Sequence, residues 1–145
     1  MCGATIALAA CCVPAFTRVL LTVPLRLSLN YNEGWNAYHA AAIMRGGALY
    51  PDSGFFFNNY PPLSFYVVAG WTRLVGDPIV AGRCLSLAAF VVWTLLLERA
   101  ALMLKCRRSE AWFGAILFAV LSMLFSDYVG INDPQFLGNA VRMSA

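Results

Sequence analysis

The sequence predicts an all-α integral membrane protein with three transmembrane helices and shorter juxtamembrane helices in its first outer loop. Three observations point there. Of 145 residues, 61% are hydrophobic and only 12% charged, against about 25% charged in an ordinary soluble domain. Three apolar runs, residues 4–26, 79–104 and 111–131, each reach the roughly 20 residues that a bilayer crossing needs. The densest basic cluster, Lys105, Arg107 and Arg108, sits in the short gap between the last two runs. A chain this small has too little interior to hide so much apolar surface from water.

Each element follows from local signals. The first span, 4–26, contains Pro14 and Arg18, and Arg18 can snorkel or face protein. Leu8-Ala9-Ala10-Cys11 resembles a lipoprotein cleavage box. No Lys or Arg precedes Arg18, however, so the segment reads as a retained helix. In the loop 27–61, Asn32 is the expected N-cap and Glu33 lies in the first turn. A short amphipathic helix then runs from Gly34 to Arg45, with Trp35, Tyr38, Ala42 and Ile43 as its apolar stripe. Gly46-Gly47 ends it. Leu49-Tyr50-Pro51-Asp52 reads as a turn and Asn58 to Pro62 as extended chain, because a residue before proline avoids helical geometry. Residues 62–76 form an apolar helix only about 22 Å long, against a hydrocarbon core of about 30 Å. With Tyr66, Trp71 and Arg73 it reads as interfacial or re-entrant. Asp77-Pro78 starts the span 79–104, and Ser109-Glu110 caps the span 111–131. Residues 132–145 begin a second outer loop or a further helix.

The positive-inside rule places the 105–108 turn in the cytoplasm. Loop 27–61 and the segment after 131 then share the outer face, provided 62–76 does not cross. The chain is expected in the cell inner (plasma) membrane as a multi-pass protein, as a single membrane domain over 1–145.

Composition excludes some functions. The net charge is only +3 and its basic residues are scattered, which argues against nucleic-acid binding. Five cysteines fit no zinc spacing and read as small apolar residues. His39 has no second ligand at helical spacing and reads as a packed histidine. Ser64 and Ser86 have no nearby base. The acids able to reach the outer face are Glu33, Asp52, Asp77, Asp127 and Asp133. Glu33 and Asp133 are the two candidates for catalysis, because acids at a membrane boundary are costly to keep. Together they could accept a proton from a hydroxyl or hold a divalent cation such as Mg or Mn. The alternative for both is helix capping.

Three stretches carry a resemblance: Asn32-Glu33-Gly34-Trp35-Asn36-Ala37-Tyr38-His39-Ala40, Gly46 to Pro51, and Asn58-Asn59-Tyr60-Pro61-Pro62-Leu63-Ser64-Phe65. Together they resemble the first outer loop of GT-C-fold membrane glycosyltransferases, the group that includes protein O-mannosyltransferase-like and aminoarabinose-transferase-like enzymes. Ala81-Gly82-Arg83 with Leu85-Ser86, and Asn132-Asp133-Pro134-Gln135, are similar to the next two landmarks, in order. The resemblance spans roughly 30–140 and implies sugar transfer from a polyprenyl-phosphate donor to an acceptor hydroxyl at the outer membrane face. It implies Glu33 or Asp133 as base, Glu33 being favoured, and Asn32, Trp35, Tyr38, Asn58, Asn59, Tyr60 and Arg83 as substrate-binding residues. It also implies membrane lipid and the lipid-linked sugar as partners. Family members often carry Asp-Glu where this chain has Asn32-Glu33, and an amide cannot take a proton. The family's chains are several-fold longer, so a fragment, inactive alone, is the expectation. The competing expectation is a non-catalytic small membrane protein or subunit that holds a lipid or partner through its aromatic loop. A transporter fragment ranks third, since the spans lack broken helices with midplane charges.

Overall fold

The computed structural model describes residues 2–50, 58, 60–125 and 128–144. Asp52, Asn59 and Asp127, singled out above, lie outside the described residues. Six helices make up the ordered structure among them: α1 (Cys2–Thr22), α2 (Tyr31–Met44), α3 (Leu63–Val75), α4 (Pro78–Met103), α5 (Arg108–Phe125) and α6 (Pro134–Ser144). No strand occurs among the described residues.

Two helices are long and apolar enough to cross a membrane, Gly3–Thr22 with mean hydropathy 1.9 and Pro78–Met103 with 2.0. The first of these turns Ile6, Val13 and Leu21 outward, as a helix solvated by lipid would. α5 starts three residues before the expected span and stops at Phe125, and residues 128–131 form turns and a bend. Gly130 takes a left-handed φ of 73° there, a geometry that glycine adopts without steric cost. α1 stops at Thr22 rather than 26, with Pro24 just beyond it. A proline disfavours helical geometry in the residue before it, which shortens the expected span.

The capping logic holds for α4. Asp77 accepts from the amides of Ile79 and Val80 at 2.9 and 3.1 Å, with Pro78 in the first position. α3 falls within the 62–76 stretch expected to be helical and closes on Gly76 in the left-handed conformation, φ 86°. At 13 residues it is about 20 Å long, short of a bilayer's apolar core.

α2 departs from expectation in two ways. Its N-cap is Asn30, not Asn32: the Asn30 side chain accepts from the Glu33 amide at 2.9 Å. Its inward face is Glu33, Asn36, Ala37 and Ala40, with His39 beside it, not the Trp35–Tyr38–Ile43 stripe. Tyr38 is half exposed. Apolar periodicity misplaced the face because two of its inward residues are polar and find partners on distant elements.

α4 is the hub. It packs on α5 on one side, on α3 and α6 on the other, and α2 sits over its start, while α1 joins through α5. Phe90, Phe118, Trp93 and Phe136 interlock in edge-on and tilted contacts, with centroids 4.8 to 6.1 Å apart, where α4, α5 and α6 meet. The end of α1, the start of α4 and residues 128–133 all lie at one end of the bundle. The α4–α5 turn, with Lys105, lies at the other.

Candidate functional site

The polar end is organised by one arginine. Arg83 sits in the second turn of α4, fully buried, and all five of its N–H donors are used. Nε donates to Glu33 Oε1 at 2.6 Å and Nη2 to Glu33 Oε2 at 2.7 Å. Nη2 also donates to the Leu27 carbonyl at 2.7 Å, and Nη1 to the carbonyls of Thr22 and Leu25, the latter at 2.7 Å. A planar guanidinium suits this task, because its donors are fixed in a fork that matches a carboxylate on one edge. The carbonyls of Leu25 and Leu27, where the chain turns from α1 toward α2, have no backbone donor among the described residues, so Arg83 satisfies backbone that burial would otherwise orphan; Thr22 O also accepts from the Leu25 amide at 3.1 Å.

Glu33 is equally complete. Besides the two guanidinium bonds, Oε2 accepts from the Leu29 amide at 2.8 Å and Oε1 from the Asn132 amide at 3.1 Å. Neither residue exposes any side-chain surface. The pair is a clasp that pins loop 23–30, α2, α4 and the 128–133 turn together.

Asn132 is the strut between the clasp and its neighbour. Its side chain donates to the Pro78 carbonyl at 3.2 Å, and its carbonyl accepts from Asn36 Nδ2 at 2.7 Å. The turn lies so close to α4 that a Cβ on Gly82 would overlap the Asn132 side chain. Glycine is required there by approach, not by backbone angle.

Asp133, one residue on, is the other buried acid. Its Oδ1 caps α6 by accepting from the Gln135 amide at 3.0 Å, while Oδ2 has no partner. Asn36 Oδ1 is likewise unpartnered, and its amide cannot be reversed, because Asn132 O needs a donor. Both residues line a cavity of about 10 Å³ with Ser64, Phe65, Gly82 and Ser86, room for about one water molecule. Burial raises the Asp133 carboxyl above its ordinary range, and the Gln135 bond only partly opposes this.

A larger cleft of about 480 Å³ opens between the start of α3 and the outer face of α6, over Tyr60, Ser64, Gln135, Asn139 and Arg142. Ser64, Pro134 and Leu137 border both this cleft and the small cavity. Asp133 therefore lies behind the cleft wall.

Comparison with family models, with characterised proteins and with solved structures yields no match to this chain. The site is read from its own geometry.

That geometry sorts the expected residues. Glu33, Arg83 and Asp133 do come together at one end. Arg83, expected to bind substrate, has no donor left for a phosphate. Glu33 has no free lone pair for a hydroxyl proton. A divalent cation does not fit between the two acids, since Glu33 holds a guanidinium with both oxygens. Asn32 is half-buried and Tyr38 exposed, away from the cavity. Trp35 stacks on Tyr31 and meets His39 edge-on. Asn58 is buried and accepts from the Tyr60 amide at 2.9 Å, leaving its Nδ2 unpartnered. His39 packs edge-on against Trp35, Tyr38 and Phe65, and burial lowers its basicity. Sequence reasoning missed Asn36. The signal that could have found it is its i+3 spacing from Glu33, which puts both on one helical face.

Proposed function

We propose that this chain is, or forms part of, a multi-pass glycosyltransferase of the cell inner membrane that transfers a sugar from a polyprenyl-phosphate donor to an acceptor hydroxyl at the outer face. The observation that supports this most is the bare, buried Oδ2 of Asp133 behind a cleft of about 480 Å³. A carboxyl whose basicity is raised by burial is the right kind of group to take a proton near neutral pH. In this reading the third span runs through α5, and the polar end faces outward.

In this reading the proton of the acceptor hydroxyl passes to Asp133 Oδ2 through one water in the small cavity behind Ser64, Pro134 and Leu137, as the hydroxyl oxygen attacks the anomeric carbon. The bond from that carbon to the lipid phosphate breaks, its electron pair leaves with the phosphate, and the configuration inverts. Arg142 on the cleft wall is the guanidinium available to the leaving phosphate, since Arg83 is engaged. Tyr60, Ser64 and Gln135 offer hydrogen bonds to sugar or acceptor. The base assignment passes from Glu33 to Asp133 on the count of open lone pairs. Glu33 and Arg83 hold the turn that positions Asp133.

The test is transfer from a polyprenyl-phosphate sugar by membranes carrying the protein in its full reading frame. Asp133→Asn keeps the α6 cap and is expected to lower turnover by about 10² to 10⁴, the range for loss of a general base. Wild-type turnover in Asp133→Asn removes the base; no transfer by the parent protein removes the glycosyltransferase. A second reading, a binding subunit, draws support from the completeness of the clasp. It predicts lipid or partner binding without transfer.

A further inference from the structure

We infer that the cleft between α1 and α5, at the same end of the bundle but on the opposite flank from the Asp133 cavity, binds the phosphate of an anionic membrane phospholipid. The cleft holds about 550 Å³ and is walled by Pro14, Val19, Met123 and Leu124, with Arg18, Thr22 and Asn30 among its polar members; the Thr22 hydroxyl is committed to the Val19 carbonyl at 2.8 Å. This rests on the chain lying in a membrane and not on the glycosyltransferase reading.

Arg18 is the only charged residue in α1. Among the described residues no acid pairs with it; the ion pairs there are Arg83–Glu33 and Arg99–Glu98. A cation within an apolar span is costly to keep, which makes an anionic partner the default expectation. Asn30 supplies the second donor. Its Oδ1 is committed to the Glu33 amide at 2.9 Å, so the amide orientation is fixed and Nδ2 is left facing no described acceptor. Two donors without acceptors among the described residues, lining one cleft, ask for a ligand rich in acceptor oxygens.

Depth and shape select which one. Arg18 lies four residues before the end of α1, about 6 Å along the axis, where a snorkelling guanidinium reaches the headgroup layer. Below it the walls are apolar and match acyl chains. Inorganic phosphate has nothing to place against them, and a zwitterionic lipid brings a cation that Arg18 repels. An anionic phospholipid satisfies both halves.

The test uses the full chain, purified in detergent and offered equal phosphatidylglycerol and phosphatidylcholine, with bound lipid counted by native mass spectrometry. The parent protein is expected to retain phosphatidylglycerol about fivefold over phosphatidylcholine, the scale of one arginine near an anionic surface. Arg18→Gln and Asn30→Asp each bring this to parity, while Arg18→Lys keeps most of it. Asn30→Asp retains the α2 cap, so it reads the site even if Arg18→Gln fails to fold. Equal retention of the two lipids by the parent protein overturns the proposal. So does an undiminished preference in Arg18→Gln or Asn30→Asp, or displacement of the lipid by inorganic phosphate.

Discussion

Glu33 and Asp133 are both buried carboxylates, joined through a single residue, yet their surroundings are opposite. Glu33 accepts two bonds on each oxygen and faces a guanidinium. Asp133 has one oxygen in a cap and the other without a partner, beside a cavity whose donors, Asn36 Nδ2 and the Ser64 and Ser86 hydroxyls, are engaged with carbonyls. An acid with every lone pair filled can only hold structure. An acid kept half-satisfied in a low-dielectric pocket is under tension, because an unmet buried acceptor is penalised by about 1–3 kcal/mol. The comparison teaches that proximity to a site is a weaker guide than the count of open lone pairs.

Breaking the clasp is expected to have the largest effect. Arg83→Ala strands the Glu33 charge and the Leu25 and Leu27 carbonyls and is expected to destabilise the fold by about 3–5 kcal/mol. Thermal unfolding in detergent reads this. The double replacement Glu33→Leu with Arg83→Leu is expected to recover only part of the loss: it removes the buried charge but still strands the Leu29 and Asn132 amides and the Leu25 and Leu27 carbonyls. Equal damage in the single and double variants would mean that the carbonyl contacts of Arg83, not the ion pair, carry the clasp.

Gly82→Ala strikes the strut common to both regions. The added methyl overlaps Asn132, and overpacking of this kind costs about 1–3 kcal/mol. It is expected to lower stability and disturb both acids at once, visible as lost amide-exchange protection at Asn132 together with Gln135. Asp133→Asn goes the other way. It keeps the α6 cap and gives the cavity a donor, so stability is expected to hold or rise by about 1 kcal/mol, measured by the same melt.

pH dependence sharpens the contrast further. Burial raises the Asp133 carboxyl above its ordinary value of 3.8, so the folded state holds that proton more tightly than the unfolded chain. Its contribution to stability is full below that value and is lost as pH climbs through the raised one. Burial lowers His39 from its ordinary 6.5. There the unfolded chain binds the proton more tightly, and stability falls as pH drops below 6.5 toward the lowered value. Melting curves across pH should therefore lose the first slope in Asp133→Asn and the second in His39→Gln.

Much of the architecture could be read in the chain. The Asp77-Pro78 start and the shortness of 62–76 are local, and each was visible as residue type and spacing. The meeting of Glu33 with the 132–133 turn agrees with the expectation that 62–76 does not cross, which puts both on one side. What could not be read was pairing. Nothing near Arg83 in sequence says that it will meet the carbonyls of Thr22, Leu25 and Leu27, so it looked free to bind substrate. The inward face of α2 was misjudged for the same reason: Glu33 and Asn36 are buried by partners about 50 and 96 residues away, which hydrophobic periodicity does not register.

Topology is the claim on which both the site and the lipid cleft depend, and cysteine labelling in intact cells tests it most directly. Tyr31→Cys, in a background without other cysteines, places a thiol at an exposed position beginning α2. The native Cys106, kept alone, is exposed in the α4–α5 turn. An impermeant maleimide is expected to label position 31 from outside and to reach 106 only after the membrane is opened. Labelling of 106 in sealed cells, with 31 protected or equally reactive, would contradict the account.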